Sequence, residues 1–244
     1  MLEDIIENKR FTARGVYGFF PANADGDDIT IWTDDSRSEK QCSFHTLRQQ
    51  IEKNNDKPNS ALSDYVASPD APSPEDYVGG FVVGIHGADE WAEELKTKDM
   101  DDYKAIMVKA IADRLAEAFA ELLHHRARVA WGYERQNEFN HNEIIKEIYR
   151  GIRPAPGYPA QPDHTEKETL FELLDASSVC GVDLTESCAM HPGAAVSGLI
   201  FSHPESHYFA ITELQKDQIE DYATRKGWDL ETAEKWLGPW LGYA

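Results

Sequence analysis

Four prolines, Pro154, Pro156, Pro159 and Pro162, crowd the segment from Arg153 to Lys167. Each proline fixes φ near −65° and removes a main-chain N–H, which excludes both helix interior and central strand. Gly157 supplies the one freely flexible backbone position in the run. A loop this stiff holds its carbonyls and the Arg153 guanidinium in a set geometry before any ligand arrives, and so lowers the ordering cost of binding. A rigid connector between two elements satisfies the same composition. The residues alone leave both readings open.

The chain has 244 residues, 41% hydrophobic and 28% charged, which is ordinary for a soluble globular protein. That length suits one large domain or two small ones, burying roughly 70–75% of the unfolded surface. No apolar run approaches the roughly 20 residues needed to span a bilayer. Met1 to Arg10 carries acidic side chains and lacks the basic start and apolar core of a secretory signal. Cys42, Cys180 and Cys188 are odd in number and form no C-x-x-C pair, which favours reduced thiols and a cytoplasmic setting. The formal net charge of −20 repels nucleic-acid phosphates and anionic membrane surfaces, so neither is expected as a partner.

Along the chain, Gly15 to Thr33 reads as a hairpin: Val16, Phe19 and Phe20, a connector from Pro21 to Asp28, then alternating Ile29-Thr30-Ile31-Trp32. Asp25-Gly26-Asp27-Asp28 has the acidic density of a calcium loop but not its spacing or closing Glu, and reads as a plain turn. Residues 54–76 resemble a linker in composition, yet Leu62, Tyr65 and Val66 suggest an irregular connection packed on the core. Tyr77 to Ile85 is short, apolar and glycine-dotted, as a buried strand would be; its glycines form neither G-x-G-x-x-G nor a P-loop.

The longest periodic segment runs from about Asp101 to Arg128, with Met107, Ile111, Leu115, Phe119 and Leu122 as its apolar stripe. Asp101 and Asp102 at its start, and His124, His125, Arg126 and Arg128 at its end, match a helix dipole. Asp113, Glu117 and Glu121 form an acidic stripe on another face, read from pattern as solvated. Thr165 and Glu168 have capping-box spacing for a helix to about Leu174. Ala195–Phe201 and His207–Ile211 read as neighbouring strands across a Ser-His-Pro-Glu turn. Gln215 to Lys226 reads as a helix closed by Gly227, and Asp229 as the cap of a last short helix ending before Gly238-Pro239. Strands and helices mix without regular βαβ alternation, so the class is α+β with a largely antiparallel sheet.

The histidines form no H-E-x-x-H pair, adjacent His124 and His125 point about 100° apart on a helix, and the cysteines lack zinc-finger spacing, so no metal site is expected. No G-x-S-x-G or matching Cys–His signature marks a nucleophile, and no catalytic residue is assigned. His164 and His191 read as hydrogen-bonded loop residues. Trp131, Trp236 and Trp240 read as core or interface anchors.

Gly151-Ile152-Arg153 with the proline loop, Leu184-Thr185-Glu186-Ser187-Cys188-Ala189-Met190, and Pro192-Gly193-Ala194-Ala195-Val196-Ser197-Gly198 resemble the C-terminal activation domain of cobalamin-dependent methionine synthase. Phe201-Ser202-His203-Pro204, Leu241-Gly242-Tyr243, Phe20-Pro21-Ala22-Asn23, Leu47-Arg48-Gln49-Gln50 and the run from Asp101 to Glu121 extend the likeness over nearly the whole chain. The resemblance implies one α+β domain over residues 1–244, built around a long twisted sheet flanked by helices. It implies a module that binds S-adenosylmethionine and positions its methyl group for reductive methylation of cob(II)alamin, the cobalamin being held by a partner domain. Flavodoxin or a flavoprotein reductase would be the electron source. An acidic flavodoxin must then meet a local basic patch or rely on salt screening. The module would be part of an enzyme, 5-methyltetrahydrofolate–homocysteine methyltransferase, and not a complete enzyme alone.

By the same resemblance Arg153, Tyr208 and Phe209 are ligand-binding positions, Glu117 is a candidate for the ligand's ammonium group, and Ala155 and Tyr158 contribute backbone contacts. The physical demands agree: a carboxylate suits a bidentate cation such as Arg153, and adenine suits main-chain donors and acceptors beside a flat apolar surface. The family's domain begins earlier, with an Asp-Trp-Thr-Pro-Phe-Phe-like motif, so the chain is expected to begin inside the domain and to bind more weakly without that aspartate. Gln161 stands where the family often has Cys, a change expected to matter little. The alternative is a small-molecule-binding or interaction module without turnover.

Overall fold

The computed structural model describes residues 1–53, 57–135 and 141–243. Its elements are α1 (Leu2–Glu7), β1 (Thr12–Asp25), β2 (Asp28–Trp32), β3 (Lys40–His45), β4 (Asp76–His86), α2 (Ala88–Thr97), α3 (Asp102–Trp131) and α4 (His141–Ile145). Then follow α5 (Glu166–Leu174), α6 (Ala176–Cys180), β5 (Asp183–Leu184), β6 (Met190–His191), β7 (Ala195–Ile200), α7 (Lys216–Lys226) and α8 (Leu230–Leu237). The fold is α+β: a five-stranded antiparallel sheet in the order β3-β2-β1-β4-β7, with helices flanking it, plus a two-stranded β5-β6 ribbon. No helix among the described residues is long and apolar enough to cross a membrane.

The expected hairpin forms with a different turn. β1 continues through Pro21 and pairs Ala22 with Ile31 and Asp25 with Asp28, leaving only Gly26 and Asp27 to turn the chain. Gly26 takes the positive φ, 61°, that a two-residue hairpin asks for. The acidic residues of this turn meet protein cations: Asp27 accepts from Arg48 Nε at 2.9 Å, and Asp28 pairs with Arg225 and His45. Beyond residues 54–56, which lie outside the described residues, the proline- and serine-rich connection packs on the core through a 3-10 turn at Leu62–Tyr65. Leu62, Tyr65 and Val66 are buried there. β4 is buried over nearly its whole length, as its apolar run requires.

Chain contacts divide the protein into two compact units. The first comprises Met1–Gly18, Gly80–Tyr149 and Phe171–Ser197; the second comprises Phe19–Gly79, Arg150–Leu170 and Gly198–Ala244.

In the first unit α3 is a 30-residue helix capped by Asp101, whose side chain accepts from Lys104 N–H, and closed by Gly132 in the left-handed region. Its buried face is not the expected one. Ala105, Val108, Ala112, Ala116, Ala120, Leu123 and Ala127 are buried, whereas Met107 and Leu115 are 37% and 38% exposed. Alanines let helix axes approach closely, and Ala105, Val108, Ala112 and Ala116 of this row pack in one cluster with Ala88, Ala92 and Leu95 of α2. The bulky stripe lies alongside: Leu115, Phe119 and Leu122 line an open apolar groove with Ile5, Phe11 and Ile85. At the helix end His124, His125 and Arg128 are buried instead of solvated. Arg128 bonds Glu134 through Nε and stacks on Tyr149 with 3.9 Å to the ring centroid. Trp131 is half-buried, and His191 forms half of β6.

In the second unit α7 and α8 close over Leu47, Ile211 and Leu214, with half-buried Trp240 against the same cluster. Gly227 ends α7 with φ 68°, and Asp229 caps α8 by accepting from Thr232 N–H at 2.8 Å, both as the sequence predicts. Trp236 is half-buried. The strand expected at His207–Ile211 does not form. That segment runs without strand pairing after β7, anchored by Tyr65 and Gln49.

Candidate functional site

The proline run enters the second unit as an antiparallel extension of β7. Ile152 and Phe201 exchange both backbone hydrogen bonds, at 3.2 and 3.0 Å, and Leu199 N–H donates to Pro154 O at 2.9 Å. Arg150 Nε donates to Ser202 O at 2.6 Å one step earlier. After this anchor the prolines prevent further pairing, and the loop folds on itself. Tyr158 N–H donates to Ala155 O, Gln161 N–H to Tyr158 O, and Gly157 N–H to Gln161 O at 2.7 Å. Gly157 has φ 91°, and the His164 ring occupies the place where a β-carbon would stand, so conformation and space both demand glycine.

This loop brings Arg153 beside Tyr208: the Tyr208 hydroxyl accepts from Arg153 N–H at 3.0 Å. Ile211 N–H donates to Pro159 O at 2.7 Å, and Gln49 Nε2 donates to Ala210 O at 3.0 Å, so the loop and residues 208–211 are cross-tied. Successive side chains of this extended segment go opposite ways. Tyr208 is 47% exposed and meets the proline loop. Phe209 is half-buried, 6.4 Å from the Tyr65 ring and against the α7–α8 cluster. Its ring is therefore committed to the core. Tyr158 is 62% exposed and Ala155 half-buried, both on the same loop. Arg153, Ala155, Tyr158, Tyr208 and Phe209 all belong to the second unit; Glu117 belongs to the first, exposed on α3.

Behind the loop stands a buried ionic cluster that sequence reasoning missed. Lys226, at the end of α7, donates to Asp163 at 3.0 Å, Thr165 Oγ1 at 2.7 Å and Glu166 at 2.6 Å, using all three ammonium hydrogens. Asp163 also accepts from Tyr222 Oη at 2.6 Å and Thr165 N–H at 2.8 Å, and Glu166 accepts from His45 N–H at 2.9 Å. Burial opposes ionisation of Asp163, but Lys226, Tyr222 and Thr165 outweigh it and hold the carboxyl below its ordinary range. Burial dominates at Glu166 and raises it to about 6 despite Lys226. Burial, then Lys167, lowers His164; the Lys167 ammonium donates to its Nδ1 at 2.9 Å, which places the ring proton on Nε2. Thr165 donates its hydroxyl to Asp163, and α5 begins where the capping-box spacing marked it. A lysine directly before the predicted closing glycine was the available signal, and it reads equally well as complementing the helix dipole.

The loop carries fixed carbonyls and Arg153, and the Tyr208 hydroxyl stands on the Arg153 N–H. They offer no paired nucleophile and base. Among the described residues, no three of His, Cys, Asp and Glu come together as metal ligands.

A family model described as the activation domain of vitamin B12-dependent methionine synthase matches residues 1–227. A solved structure described as the MetH reactivation domain bound to AdoHcy is similar at 50% identity and a TM-score of 0.96, over 100% of this chain and 75% of that one.

Proposed function

Because the chain belongs to the activation-domain family of vitamin B12-dependent methionine synthase, we propose that it binds S-adenosylmethionine and positions its methyl group for reductive methylation of cob(II)alamin held by a partner domain. The observation that carries this reading is Arg153, held at the mouth of a rigid loop whose N–H bonds the Tyr208 hydroxyl. AdoHcy, which the solved relative binds, is the same molecule without the methyl group. The Arg153 guanidinium suits such a ligand: it would take the α-carboxylate in a bidentate pair. The main chain at Ala155, Tyr158, Tyr208 and Phe209 would hold the adenosyl part.

The sulfonium of the bound molecule supplies an already activated methyl group, so the protein needs no nucleophile or general base of its own. Its contribution is placement, which converts an encounter between two bound partners into a near-unimolecular one. The electron comes from flavodoxin or a flavoprotein reductase. Cys42, Cys180 and Cys188 form no disulfide among the described residues, which suits the reducing cytoplasm.

Calorimetric titration with S-adenosylmethionine tests the reading. Arg153→Ala is expected to weaken binding by about 2–5 kcal/mol, since it leaves a carboxylate unpaired in a partly dry cleft. Affinity unchanged within about threefold, with circular dichroism intact, removes Arg153 from the site. In a mixture with the cob(II)alamin-loaded partner domain, ligand and reductant, this chain is expected to speed the absorbance change of the methylated cofactor. An equal rate without it leaves only a binding module.

A further inference from the structure

Tyr65, the last residue of the 3-10 turn, is 7% exposed and places its hydroxyl against a segment 142 positions away. The hydroxyl donates to His207 O at 3.1 Å and accepts from His207 N–H at 3.4 Å. Glu205 O can only accept, so His207 Nδ1, 3.1 Å from it, carries a proton, and that nitrogen also stands 3.3 Å from Tyr65 Oη. Burial raises the Tyr65 hydroxyl above its ordinary range, so the donated proton stays in place. His207 lies where the chain runs without strand pairing, and backbone groups there need partners from elsewhere. One side chain serves both of them. Its ring is held as well, with the rings of Phe201, His203, His207 and Phe209 centred between 5.9 and 6.4 Å away. A planar peptide bond carries this fixation forward: with the His207 carbonyl held, the N and Cα of Tyr208 lie in the same plane. On the far side Gln49 Nε2 holds Ala210 O at 3.0 Å, so Tyr208 is bracketed. Its hydroxyl is thereby set 3.0 Å from Arg153 N.

We propose that Tyr65 is a positioning residue for the ligand site, holding the Tyr208 hydroxyl in register with Arg153 through the main chain of His207; this rests on the function proposed above. Tyr65 needs no contact with the ligand. An irregular segment that is loose before binding must be ordered at the ligand's expense, and a buried residue that orders it beforehand removes that cost. Precise sites depend on such supporting contacts, because a displacement of about 1 Å is enough to loosen them.

The test compares the wild type, Tyr65→Phe, Tyr208→Phe and the double variant by calorimetric titration with S-adenosylmethionine and by amide proton resonances without ligand. Tyr65→Phe keeps the ring and removes only the hydroxyl. Each single variant is expected to weaken binding about fivefold or more. The double variant is expected to bind within about twofold of the weaker single variant, because both changes remove the same placement. Without ligand, Tyr65→Phe is expected to shift the Arg153 amide proton in the same direction as Tyr208→Phe, while the Ile219 amide inside α7 stays where it was. Losses that multiply overturn the proposal, as does a Tyr65→Phe affinity within about twofold of wild type. So does an Arg153 resonance that Tyr65→Phe leaves in place, or one that moves only together with Ile219. A Tyr208→Phe affinity within about twofold of wild type also overturns it, a result that does not require Tyr65→Phe to fold. In all these outcomes the wild type binds and the proposed function stands. A wild type that binds nothing overturns that function, and the role of Tyr65 with it.

Discussion

Arg153 and Tyr208 stand 55 positions apart and meet through one hydrogen bond from a backbone N–H. Ile152 and Pro154 face β7, so the N–H of the residue between them points away from that strand and meets the Tyr208 hydroxyl. Below it, Lys226 neutralises two buried carboxylates whose titration runs in opposite directions. Glu166 is raised from 4.5 to about 6 in the folded protein, chiefly by burial. A raised group contributes stability that is full below the unfolded value and lost as pH rises through the folded one. Between pH 4.5 and about 6 the wild type is therefore expected to lose about 2 kcal/mol relative to Glu166→Gln. Asp163, held low, contributes in the opposite sense and only at more acidic pH, below its ordinary 3.8. Urea unfolding of both proteins across this range checks the sign. A stability difference that grows as pH rises would show that Lys226, and not burial, governs Glu166.

At the scale of elements, α3 decides the packing of the first unit. Its alanine row faces α2, so the expected mutational order reverses what side-chain size suggests. Ala112→Leu forces bulk into a position that is 0% exposed and is expected to cost about 1–3 kcal/mol. Leu115→Ala removes a side chain from a position 38% exposed and is expected to cost less than that. Midpoints of denaturant unfolding decide between the two faces: a larger loss for Leu115→Ala would return the core to the bulky stripe. The acidic stripe of the same helix leaves Asp113 and Glu117 exposed, in keeping with a solvated face.

At the scale of the whole molecule, the formal net charge of −20 is the largest electrostatic fact. Repulsion spread over a surface is screened by salt, with a Debye length of about 10 Å at 0.1 M, whereas buried pairs such as Lys226–Glu166 are screened much less. Raising sodium chloride from about 0.01 M to about 0.15 M is therefore expected to raise the melting temperature. A fall on scanning calorimetry would mean that half-exposed pairs such as Arg48–Asp64 outweigh the net repulsion.

The sequence alone determined the class, the long helix with Asp101 at its start, the buried strand β4, the glycine after α7 and the Asp229 cap, because each follows from periodicity or from chemistry within a few residues. It also marked the proline loop as rigid and placed Arg153, Ala155 and Tyr158 on it. Only the tertiary structure decided which face of α3 is buried, because alanine and leucine stripes one position apart are equally periodic and the partner helix chooses between them. It decided too that His207–Ile211 forms no strand, since strand pairing depends on a neighbour that local sequence does not specify. The Asp163–Glu166–Lys226 cluster joins residues 60 and 63 positions apart. Partners so distant leave no local pattern, and a buried lysine looks like a solvated one until the fold surrounds it.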